Sequence, residues 1–117
     1  MDINKAREFC SKLRGVTSDT KWGSDLVFSI GEKMFAVTCL KEDEFTGLSF
    51  KVDEDRFLEL TDRAGIIPAP YLARAKWIQI TDPDVVSDLE VQELLQRSYA
   101  LVLSKLTKKL QKELAHE

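Results

Sequence analysis

The chain has 117 residues, 44% of them hydrophobic and 32% charged, and a formal net charge of −3. That length supports one core and not two, so a single domain over residues 1–117 is expected, and the hydrophobic share argues against wholesale disorder. No apolar run approaches the length of a membrane span, and Met1–Lys5 offers no apolar signal core. The expectation is a cytoplasmic protein of bacterial style with no membrane partner. An acidic net charge excludes indiscriminate coating of nucleic acid. Any such contact must come from a local patch, weak and sensitive to salt.

Residues 2–14 read as a helix. Asp2 is placed to cap it, Ile3, Ala6, Phe9, Cys10 and Leu13 recur on one face, and Gly15 supplies a stop. Val16–Ser24 is polar and reads as a partly extended connection, with Trp22 covering one end of the core. Leu26–Ile30 and Lys33–Leu40 read as strands, and a two-residue loop opening with Gly31 suits a type II′ hairpin. Strict alternation then pairs Phe28 with Phe35. It turns Leu26, Phe28, Ile30, Phe35, Val37 and Cys39 inward, and Val27, Ser29, Met34, Ala36 and Thr38 outward.

Lys41–Thr46 is a charged turn whose acids lack the spacing and glycine of a calcium loop. Gly47–Val52 is a third strand. Asp53 then caps a helix running to about Ala64, with Phe57, Leu58, Leu60 and Ala64 inward and Gly65 at its end. Lys76–Thr81 is a further strand with Ile78 and Ile80 inward and Trp77 and Gln79 outward, broken by Asp82-Pro83-Asp84. Ser87 and Glu90 have capping-box spacing, Val86 and Val91 that of a hydrophobic staple, and an apolar stripe runs from Val91 to Leu106. Thr107 interrupts that stripe, and the lysines from Lys105 to Lys112 suit the negative end of a helix dipole. The tail 108–117 reads as an amphipathic or frayed end.

Strands apolar on one side, with helices between them, give an α+β two-layer sandwich on an antiparallel sheet, in the order α-β-β-β-α-β(-β)-α. Its other face stays partly open and is expected to carry Ser29, Met34, Thr38, Ser49, Lys51, Trp77 and Gln79.

Catalytic and metal chemistry find little to work with. The one histidine, His116, sits at the tail, the five glycines stand singly, and Cys10 and Cys39 read as free thiols. No metal, no cofactor and no enzymatic activity are expected. The stretch Pro68–Thr81 is different, because it lies in an acid-free window and sets Arg74 and Lys76 between Tyr71 and Trp77. Two readings stand for it: aromatic core residues with solvated cations, or a surface holding phosphates and stacking on bases.

Several segments together resemble the MmcQ/YjbR family. They are Trp22 with Asp25–Val37, Leu48-Ser-Phe-Lys51, Ile67-Pro-Ala-Pro-Tyr-Leu-Ala-Arg-Ala-Lys-Trp77, and Ser98-Tyr99 with Leu101–Leu106. The resemblance implies a two-layer fold similar to secretion chaperones and frataxin, and a DNA-binding role described as a double wing. Lys33, Lys51, Tyr71, Arg74, Lys76 and Trp77 sit at the pattern positions and become the candidate nucleic-acid contacts. Lys51, Arg74 and Lys76 would meet phosphate, and Tyr71 and Trp77 would stack or hold the loop. The family commonly has Asn-Lys where this chain has Ala73-Arg74, and often His in place of Lys76. The first exchange keeps the charge and loses one hydrogen-bonding group. A protein-interaction or chaperone-like module using the open face with Met34 and Trp77, or a homodimer through it, is the alternative. An iron-handling role meets a first helix with four cations against Asp2 and Glu8.

Overall fold

The computed structural model describes residues 1–22, 25–39 and 47–115, and of Cys39 and Ala115 the backbone. The expected turn at Lys41–Thr46 and His116 lie outside the described residues. Helices α1 (Ile3–Lys12), α2 (Glu54–Thr61), α3 (Asp88–Ser104) and α4 (Lys108–Ala115) accompany six strands. The strands are β1 (Val16–Lys21), β2 (Asp25–Ile30), β3 (Lys33–Cys39), β4 (Leu48–Lys51), β5 (Ile66–Pro68) and β6 (Trp77–Ile80). Every pairing is antiparallel, in the order β1-β2-β3-β4-β6-β5. The fold is therefore the expected α+β sandwich, with two strands more than the minimum.

Those two are the edges. Val16–Lys21 is a strand and not a connection, with all but Val16 exposed. At the other flank β5 ends on Pro68, which has no N–H to offer a neighbour. Between them the inward rows run straight across the sheet: Leu26, Thr38, Leu48, Ile80 and Ile66 in one, and Phe28, Ala36, Phe50 and Ile78 in the next. They share a core with Ala6 and Cys10 of α1, Leu60 of α2, and Val91, Leu94, Leu95 and Val102 of α3.

The hairpin departs from strict alternation. Ile30 pairs with Lys33 and Ser29 with Met34 as expected, but Phe28 pairs with Ala36, leaving Phe35 as an extra residue. A bulge of this kind turns two successive side chains the same way, and Phe35 and Ala36 are both fully buried. Beyond it the faces are exchanged. Thr38 is buried and its hydroxyl donates to the Gly47 carbonyl at 3.0 Å, whereas Val37, expected inside, joins the open face. The turn is also type I′ and not II′, because Gly31 (φ 57°) and Glu32 (φ 67°) are both left-handed. Glycine is needed at position 31 for space as well, since a Cβ there would lie 2.6 Å from Leu106 Cδ1.

Phe35 opens a gap in the ladder. The β3–β4 pairing stops at Ala36–Phe50, so the Phe35 carbonyl and the Lys51 N–H do not meet. Ser98 of α3 fills the gap: its hydroxyl donates to Phe35 O at 2.7 Å and accepts from Lys51 N at 3.0 Å. A helix side chain thus takes the place of a ladder hydrogen bond.

Local capping follows the sequence in part. Asp2 accepts from the Asn4 and Lys5 amides, and Ser87 from the Glu90 amide at 3.0 Å. Asp53, expected to cap α2, makes no capping bond; its carboxylate takes Arg97 instead, at 2.8 and 2.9 Å. Leu58 and Ala64, expected inward, are exposed. Thr107 ends the long stripe by starting α4, accepting from the Leu110 amide at 3.2 Å.

Glu90 does not close the capping box; its carboxylate receives both ends of the Arg63 guanidinium, at 2.8 and 3.1 Å. The Arg63 hydrogen bond holds Glu90 below its ordinary carboxylate pKa. A depressed folded-state pKa contributes stability that is present above the ordinary value and lost as pH falls through the folded one. Glu90→Gln is expected to cost about 1 kcal/mol at neutral pH, less than a buried charge-assisted bond because both side chains are partly exposed. The difference should vanish in acid; urea titrations of both proteins across the acid range check it.

Burial alone pushes the Cys10 thiol up to about 12. In a Cys39→Ser background, iodoacetamide at neutral pH should leave Cys10 unmodified in the folded protein and label it readily in denaturant.

Candidate nucleic-acid interface

The stretch from β5 to β6 is a closed loop. Ala69 N–H donates to Trp77 O at 3.0 Å, Leu72 N–H to Ala69 O at 3.1 Å, and Trp77 N–H to Leu72 O at 3.3 Å. A 3-10 turn over Ala73–Ala75 ends on Lys76 in the left-handed region. These bonds fix the backbone while leaving Tyr71 fully exposed at φ 66°. A bulky residue in that region costs about 1–2 kcal/mol, and no burial of its ring offsets it. Trp22 is alike, 69% exposed at φ 52°, and does not cover the core end expected of it.

Of the candidates, Lys33, Lys51 and Trp77 line one cavity, and Tyr71, Arg74 and Lys76 lie outside its lining. Lys76 places its Nζ 5.0 Å from the Phe57 ring centroid, a cation–π contact that ties it to α2 in the helical layer. Trp77, expected on the open face, is 4% exposed and cannot offer a stacking surface. Arg74 is exposed on the 3-10 turn, without an ion pair among the described residues.

Lys51 reaches the same turn from β4. Its Nζ donates to the Ala75 carbonyl, and with Lys33 and Lys105 it lines a cavity of about 290 Å³ walled by Met34, Trp77 and Val102. No carboxylate among the described residues lines it. Burial, and then the charge of Lys105, push Lys51 below the ordinary lysine pKa. Like charge beside a partly desolvated ammonium is the state that a bound anion relieves. Two of the three cations, Lys33 and Lys51, carry the family pattern. Lys105 also lies in the matching segment Leu101–Leu106, but its place at the C-cap of α3 suits a dipole partner and does not single it out as a contact. The signal for it was distance-dependent: α3 must end beside the hairpin for Lys105 to reach Lys51.

The model of the family described as YjbR matches residues 11–101. Among crystal structures, Deinococcus radiodurans protein DR2400, described with a DUF419 domain, is similar at a TM-score of 0.85. It is 31% identical, over 97% of this chain and 87% of that one. A Pseudomonas syringae protein shares the fold at a TM-score of 0.70 and 19% identity, over 87% of this chain and 99% of its own. No curated protein matches. No helix among the described residues is long and apolar enough to cross a membrane. The ordered segments read from the sequence, the sheet they build and the span of the family match agree: the chain belongs to the YjbR family.

Proposed function

We propose that this protein is a non-catalytic, cytoplasmic nucleic-acid-binding protein that holds the phosphate backbone of DNA in the Lys33–Lys51–Lys105 cleft. The observation carrying this reading is the gathering of three lysines around one cavity that no carboxylate among the described residues lines, in a chain of net charge −3. Opposite charge arriving there offsets the mutual repulsion and the desolvation of Lys51. A protein-interaction role loses Trp77 as an exposed anchor.

The test is fluorescence anisotropy with a short labelled DNA, single-stranded and duplex, across a salt series. Three neutralised phosphates predict log K falling with log salt at a slope of about −3 for duplex and about −2 for a single strand. Absence of binding to either form at low salt, or affinity indifferent to salt, would refute the proposal.

A further inference from the structure

The open sheet face holds a larger groove, about 600 Å³, within the size range of small-ligand sites. Trp22 and Tyr71 both line it, and both are exposed aromatics in the left-handed region. Ser49 and Gln79 are direct cross-strand neighbours on its floor. Neither side chain makes a hydrogen bond among the described residues, so two polar groups face the groove unused. Gly47 makes room for one of them: a Cβ there would lie 2.5 Å from Gln79 Nε2.

The groove and the lysine cleft adjoin at Met34, which lines both. Their chemistry differs sharply. The cleft is cationic, whereas among the described residues the groove has no lysine or arginine and one acid, Asp25. Phosphate is therefore directed to the cleft and excluded from the groove. Aromatic faces, a free amide and a free hydroxyl suit the flat face and polar edge of a nucleobase, and Asp25 accepts from exocyclic amino groups. Bases stacked and paired within a duplex cannot enter such a groove.

We infer that the preferred ligand is single-stranded nucleic acid, with phosphates on the lysines and unpaired bases in the groove between Trp22 and Tyr71 over Gln79. This rests on the proposed DNA-binding reading and narrows its ligand. The probes are a single-stranded DNA oligonucleotide, its duplex, and an abasic single strand of equal length. Tyr71→Gly and Trp22→Gly suit the local backbone conformation, and circular dichroism checks that both variants fold. Wild-type protein should bind the single strand about tenfold or more tighter than the duplex or the abasic strand. Either substitution should remove most of that advantage while leaving duplex affinity unchanged. Equal affinity for the single strand and duplex, or full single-strand preference in folded Tyr71→Gly and Trp22→Gly, overturns this inference alone. Failure of every probe to bind overturns the DNA-binding reading with it.

Discussion

Replacement of Ser98 by alanine is expected to lower the free energy of unfolding by about 2–4 kcal/mol, a sizeable share of what a small domain has. The hydroxyl is fully buried and serves two backbone groups that the bulge at Phe35 leaves without each other. Removing it strands a carbonyl and an amide in the core, each costing about 1–3 kcal/mol. Urea denaturation should show the midpoint fall with the slope preserved. A loss under about 1 kcal/mol would mean that β3 and β4 close the gap unaided, and that Ser98 is not what joins them.

Changing Lys33, Lys51 and Lys105 together to glutamine is expected to weaken duplex DNA binding by roughly a hundredfold or more near 0.1 M salt. The same change should remove about three from the steepness of the salt dependence, since each phosphate contact contributes close to one counterion. Stability should hold or rise slightly. Lys51 and Lys105 repel one another there, and no carboxylate among the described residues lines the cavity to offset it. Lys76→Gln provides the contrast: its ammonium is occupied by Phe57, and its loss should leave the salt dependence as it was. A triple variant with unaltered salt dependence would place the binding surface elsewhere.

What could be read from the sequence was whatever depends on near neighbours. Asp2, Ser87 and the apolar stripe of α3 act over three or four residues, and each behaves as its spacing dictates. β1 was missed because an edge strand exposed on both faces has no alternation to display. The bulge was missed for a related reason: a period of two carries no mark of where one residue is skipped, and the error then propagates to Val37 and Thr38. The family pattern singled out Lys33 and Lys51, but the proposed cleft also needs Lys105, more than fifty positions from Lys51 in the chain. Tyr71 was a candidate from the outset, whereas Trp22, placed in the core by its size, stands in water through backbone geometry that composition does not report.

The flanks of the sheet set a limit on how this molecule can meet others. One border strand displays Asp19 and Lys21 among short polar side chains, and the other stops after three residues at a proline. Neither border invites a foreign polypeptide to zip alongside, which protects the domain from fibril-like stacking during synthesis and storage. Strand addition is thereby disfavoured at both borders, which leaves the broad surfaces, where side chains choose the company, as the better place for contact.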